Sequence, residues 1–93
     1  MHVTGNTILI TGGGTGIGRA LAEAFHALGN KVIISGRREA VLKGVTAANP
    51  GMAWATMDAT DAAGIRTFVD KLIADHPDIN AVINNAGIMK NED

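Results

Sequence analysis

The sequence predicts an α/β fold built on a parallel sheet, and three observations carry the prediction. Short apolar runs alternate with stretches of helical periodicity along the whole chain. Most of those runs are dense in β-branched residues and nearly continuous in apolar character, as strands covered on both faces require. Between the first run and the first helical stretch lies a glycine-rich segment, Thr11-Gly12-Gly13-Gly14-Thr15-Gly16-Ile17-Gly18. The order reads βαβαβαβ, which calls for right-handed crossovers between parallel neighbours. There is no internal repeat, linker or low-complexity segment to divide the chain, so residues 1–93 are expected to form a single domain.

The first strand is read at Thr7-Ile8-Leu9-Ile10, where four residues in a row suit a covered strand. A helix follows, with Ile17, Ala20, Leu21, Ala24 and Leu28 at helical spacing and Gly29-Asn30 as its stop. Lys31-Val32-Ile33-Ile34 is the second strand. The second helix, about Arg38 to Ala48, has a thinner stripe of Val41, Leu42 and Val45, and Asn49-Pro50-Gly51 ends it. Met52 to Met57 is the third strand and the least decisive run. Ile65, Phe68, Val69, Leu72 and Ile73 fall at i, i+3, i+4, i+7 and i+8, marking a third helix closed by His76-Pro77. Ile79-Asn80-Ala81-Val82-Ile83 is the fourth strand.

Composition narrows the function classes. With 46% hydrophobic and 18% charged residues the chain has the means for a packed core and is not a disordered segment. At 93 residues it buries only about 60–65% of its unfolded surface, so any lost element weakens it. A net charge of −1, with basic residues scattered singly apart from Arg37-Arg38, offers no stripe for a nucleic-acid backbone. Absence of cysteine removes disulfides, thiolate catalysis and sulfur-ligated metals together, consistent with a cytoplasmic protein. Residues 1–5 form no secretory leader, and no run reaches the roughly 18 apolar residues of a membrane span. His2, His26 and His76 have no histidine partner one turn away, so no metal site is expected.

The glycine segment is placed where a turn could receive an anion. Glycines allow positive φ and leave no Cβ in a ligand's way, and free N–H groups at a helix start favour a pyrophosphate. The plainer alternative is a turn needed only for tight strand-to-helix packing. A nucleoside triphosphate loop is disfavoured, because Arg19-Ala20 stands where Lys followed by Ser or Thr is required. The spacing G-x-G-x-x-G also fails in every register. The segment instead has the pattern T-G-x-x-x-G-x-G, filled by Thr11, Gly12, Gly16 and Gly18, and Asn84-Asn85-Ala86-Gly87 follows the fourth strand.

With these two motifs, and Asp58 closing the third strand, the chain resembles the short-chain dehydrogenase/reductases, which carry T-G-x-x-x-G-x-G after strand one and N-N-A-G after strand four. The resemblance spans the whole chain but well under half of a typical family member. It implies a Rossmann-like, three-layer αβα fold with sheet order 3-2-1-4. The cofactor crevice then lies between strands one and four, where the order reverses. It implies a nicotinamide dinucleotide as partner, held by Gly12, Thr15, Gly16, Ile17 and Gly18 of the loop. Asp58 and Ala59 would flank the adenine, and Asn85, Ala86 and Gly87 would lie beneath the nicotinamide ribose. Asp58 has a second role open to it as a helix cap, although Thr60 or Asp61 serves there equally well. Asn84 and Asn85, at the end of a buried strand, need hydrogen-bond partners in any case.

The end of the second strand selects the cofactor. A carboxylate there would hold a ribose 2′-hydroxyl and repel a 2′-phosphate. The sequence reads Ser35-Gly36-Arg37-Arg38, with glycine at the carboxylate position and two guanidiniums after it, suited to a phosphate. Two cations at a helix start oppose its dipole unless an anion compensates them. The alternative is an ordinary solvated pair softened by Glu39, which could itself reach the ribose. NADP is therefore expected over NAD, with Arg37 and Arg38 as its phosphate ligands.

Chemistry is expected elsewhere. The resemblance implies hydride transfer assisted by a Ser, a Tyr-x-x-x-Lys group and an Asn, yet the chain contains no tyrosine. No residue is assigned as catalytic, and the 93 residues alone are expected to be inactive. The favoured expectation is the NADP(H)-binding portion of a short-chain oxidoreductase acting on an alcohol or carbonyl. Alternatives are a non-catalytic nucleotide-binding or regulatory module ending at Asp93, or a fragment that binds nothing. Strand four would leave an apolar edge at Ala81-Val82-Ile83, expected to be covered by self-association or by a C-terminal part of the same protein.

Overall fold

Four strands and three helices alternate along the chain in the computed structural model, which describes residues 4–12, 14, 16–57 and 62–84. In order they are β1 (Thr7–Thr11), α1 (Gly16–Ala27), β2 (Lys31–Gly36), α2 (Glu39–Ala48), β3 (Ala53–Thr56), α3 (Ala62–Asp75) and β4 (Ala81–Asn84). The strands pair in parallel in the order β3-β2-β1-β4. This is the Rossmann-like arrangement expected from the sequence.

Two cores lie on opposite faces of the sheet. Strand residues alternate between them because successive side chains point to opposite faces. Ile8, Ile10, Val32 and Ile34 turn toward α1 and α2, where they meet Ala22, Leu42, Val45 and Met52. Leu9 and Ile33 turn the other way, toward Leu72, Phe68 and Val69 of α3. Burial on both faces is what the unbroken apolar runs of β1 and β2 encode. Trp54, on β3, packs against the α1/α2 core, with the Lys43 ammonium 5.8 Å from its ring centre.

Two expectations need correction. The apolar stripe of α1 does not run through Ile17, Ala20, Ala24 and Leu28. Ile17 and Leu28 are 55% and 48% exposed, and the face on the sheet is Gly18, Leu21, Ala22 and Phe25. This second stripe has the same i, i+3, i+4, i+7 spacing, displaced by one residue, and it brings small residues against the strands. Strand β4 begins at Ala81 and not at Ile79. Pro77 and Asp78 form a turn, and Asn80 closes against β1 through its own backbone and side chain, donating N–H to the Thr7 carbonyl at 3.0 Å and accepting from the Thr7 N–H at 3.1 Å.

Helix ends follow their local chemistry. Gly29, at φ 90°, closes α1 in a Schellman turn: its N–H donates to the His26 carbonyl and the Asn30 N–H to that of Phe25. Asn49 caps α2, its N–H reaching Thr46, while its side-chain amide bridges the Val45 carbonyl and Glu23 Oε2 of α1, each at 2.9 Å. No helix among the described residues is long and apolar enough to cross a membrane.

Candidate functional site

The carboxyl ends of the strands come level in one row. Thr11 of β1 lies opposite Ser35 of β2 and Asn84 of β4, and Ser35 lies opposite Ala55 of β3. From this row emerge the glycine loop after β1 and the Gly36-Arg37-Arg38 corner after β2. The order of the sheet reverses between β1 and β4, the place where open α/β sheets receive their ligands.

The loop is built around backbone conformations that favour glycine. Gly12 and Gly16 have φ of 71° and 57°, in the left-handed region that costs other residues about 1–2 kcal/mol. The Gly12 N–H donates to the Ser35 carbonyl at 2.8 Å, fastening the loop to β2, and Thr11 Oγ1 donates to the Ile83 carbonyl of β4 at 3.3 Å. Helix α1 starts at Gly16, with Gly18 buried against the sheet and Ile17 exposed beside the loop. Its first turn carries no acidic residue, so the positive end of the helix is not neutralised from within. Arg19, which follows, pairs with Glu23 at 3.4 Å.

At the second corner, Gly36 ends β2 and its carbonyl accepts from the Met57 N–H. Arg38 is the N-cap of α2, in extended conformation and without a side-chain cap for the helix N–H groups. Arg37 and Arg38 are both exposed and make no ion pair among the described residues. Glu39 does not soften them: its carboxylate faces along the helix to Lys43, 3.8 Å away. Two exposed guanidiniums, unpaired among the described residues, thus stand at a helix start without a side-chain cap.

Sequence reasoning missed one polar feature of this row. Ser35 is fully buried, and among the described residues its Oγ has no hydrogen-bond partner. The bonding state of a hydroxyl in a covered strand leaves no trace in local sequence. Thr15, Asp58, Ala59, Asn85, Ala86 and Gly87 lie outside the described residues.

Residues 6–93 match the family model for short chain dehydrogenases. The chain belongs to the short-chain dehydrogenase family. Over 93 residues it is 40% identical to the uncharacterized oxidoreductase DltE of Bacillus subtilis, covering all of this chain and 37% of that protein. It is 34% identical over 83 residues to an L-fucose dehydrogenase of Bos taurus, covering 89% of this chain and 31% of that one. Among solved structures, a short-chain type dehydrogenase/reductase from Mycobacterium ulcerans superposes with a TM-score of 0.69 at 32% identity, over 87% of this chain and 32% of that one. The chain therefore spans about a third of the length of these relatives. Family members are oxidoreductases that bind nicotinamide dinucleotides. The residues present fit such a group: positive-φ glycines and a helix start with no acidic residue in its first turn suit a pyrophosphate.

Proposed function

We propose that residues 1–93 are the cofactor-binding portion of an NADP(H)-dependent short-chain oxidoreductase. In this reading the loop from Gly12 through Thr15 and Gly16 to Gly18 receives the pyrophosphate at the start of α1. Ile17 offers an apolar surface at the rim, and Arg37 and Arg38 hold the 2′-phosphate. Asp58 and Ala59 lie beside the adenine, and Asn85, Ala86 and Gly87 beneath the nicotinamide ribose. Bound there, the dinucleotide would give a hydride to a carbonyl in its reduced form or take one from an alcohol in its oxidised form. This chain's own residues bind and orient it. Proton transfer to the substrate oxygen falls to groups outside these 93 residues, which contain no tyrosine and by themselves are inactive.

The observation that carries the preference for NADP is the pair of exposed arginines at an uncapped helix start, with Glu39 engaged by Lys43 and a glycine at the end of β2. A guanidinium bonded to a phosphate contributes about 1.5–3 kcal/mol, roughly 10- to 100-fold in affinity. Fluorescence titration of NADPH and NADH against the chain and its Arg37→Ala/Arg38→Ala variant tests the assignment. NADPH should bind tighter to the parent chain, and the variant should lose at least about tenfold toward NADPH while NADH is unchanged. Equal losses for both cofactors, or none, contradict the role of the arginines.

A further inference from the structure

We infer that Asn80 is a positioning residue for the cofactor site: its side chain sets the register of β4 on β1, and with it the point from which Asn85, Ala86 and Gly87 depart. The inference rests on the cofactor reading above. The apolar pattern of β4 does not set its register. A strand slipped by one residue turns every side chain to the opposite face, which an alternating sequence forbids. Ala81-Val82-Ile83 is apolar without alternation, so a slip only puts one apolar residue in the place of another. Packing adds little, since Val82 is 42% exposed and Ala81 and Ile83 are half-buried. The pairing itself covers only Ile8 with Ala81 through Thr11 with Asn84.

Asn80 supplies the missing specification. Its N–H donates to the Thr7 carbonyl at 3.0 Å and its Oδ1 accepts from the Thr7 N–H at 3.1 Å, so backbone and side chain together grip one residue of β1. Its Nδ2 donates to Asn6 Oδ1 at 2.9 Å, Asn6 Nδ2 donates to Asn30 Oδ1 at 3.0 Å, and Asn30 Nδ2 donates to the Phe25 carbonyl at 2.9 Å. Each amide accepts on its oxygen and donates from its nitrogen, so the chain has one direction and position 80 must do both. Asn6 and Asn30 are buried, which fixes the far end of the chain. A slip of one residue, about 3.3 Å along the strand, breaks this grip. At the other end it carries the Ile83 carbonyl away from Thr11 Oγ1, its donor at 3.3 Å, and Asn84 out of its place opposite Thr11. In the cofactor reading the residues after Asn84 lie beneath the nicotinamide ribose, which NADPH and NADH share. Loss of the Asn80 grip therefore weakens both cofactors alike, unlike loss of the arginines.

The test compares the full chain with Asn80→Ala, Asn80→Asp and Met52→Ala, by NADPH and NADH titration and by cross-strand NMR contacts between Ile8 and Ala81 and between Leu9 and Val82. Met52 is buried in the α1/α2 core, so Met52→Ala controls for loss of stability alone. A site formed in only a fraction of the molecules binds with affinity reduced by that fraction, so Asn80→Ala should weaken both cofactors about fivefold to tenfold. Its cross-strand contacts should be lost or replaced by those of a shifted pairing. Asn80→Asp keeps the acceptor for Thr7 and loses the donor to Asn6, so it should fall between Asn80→Ala and the parent, and it carries the test if Asn80→Ala does not fold. Met52→Ala should stay within about twofold of the parent. Parent contacts kept in Asn80→Ala, an Asn80→Asp variant indistinguishable from the parent, a loss confined to one cofactor, or an equal loss in Met52→Ala overturns the inference. A parent chain that binds neither cofactor overturns the cofactor reading instead. The register is then judged by the cross-strand contacts alone: their loss or shift in Asn80→Ala supports it, and their retention overturns it.

Discussion

Ser35 shows how a single residue at the site departs from ordinary core economy. A buried hydroxyl without a partner costs about 1–3 kcal/mol, and Ser35 Oγ lies within the row of strand ends with none among the described residues. Ser35→Ala removes that cost with little change of volume. It should raise the thermal midpoint of the free chain by roughly 4–8 °C, equivalent to about 1 kcal/mol for a domain of this size. A lowered midpoint would show that the hydroxyl is satisfied in solution. At this scale the sequence was an uneven guide. The spacing of Gly12, Gly16 and Gly18 announced the loop, and two of these glycines have the positive φ that such a loop demands.

Among the elements, those with strong local chemistry were legible and those fixed by distant contacts were not. The stripe of α3 and its closure before Pro77 appear where periodicity put them, and so does the Gly29 turn. In α1 two stripes of equal spacing compete, and only the sheet decides between them: Gly18 and Ala22 are buried, Ala22 in the core with the strands, whereas Ile17 is left outside. The start of β4 was missed because Asn80 bonds to Thr7, 73 positions earlier, in place of a ladder partner that pattern alone supplies. One contact between elements responds to pH. The side-chain amide of Asn49 donates to Glu23 and, with Arg19 beside it and against the opposing effect of desolvation, holds the Glu23 carboxyl below its ordinary value. A carboxyl lowered on folding contributes stability that is fully present above its unfolded value and is lost as pH falls through the folded one. Thermal midpoints measured from neutral pH down through the carboxylate range should therefore fall less steeply for Glu23→Gln than for the parent. Parallel curves would show that the α1–α2 tie does not depend on the charge.

Across the molecule, opposite ends of the sheet do different work. At the amino ends, Asn6 accepts from the Asn80 amide at 2.9 Å and donates to Asn30 Oδ1 at 3.0 Å, and Asn30 reaches the Phe25 carbonyl, so β1, the approach to β4 and the end of α1 are fastened through one amide chain. Lys31 and Thr7 both meet Asp78 beside it. No local pattern could reveal this fastening, since its partners are 24 and 74 residues apart. At the carboxyl ends stand glycine turns and two exposed guanidiniums, the division of labour expected of a sheet that receives a ligand at the carboxyl ends of its strands. The most direct test of that account is a heteronuclear NMR titration of the chain with NADPH and with NADH. Both cofactors should shift the amides of Gly12, Gly16 and Gly18, and NADPH alone should shift those of Arg37 and Arg38, with the Asn6–Asn30–Asn80 end unmoved. Shifts at the amide end of the sheet, an identical response of the arginines to both cofactors, or no response to either would contradict it.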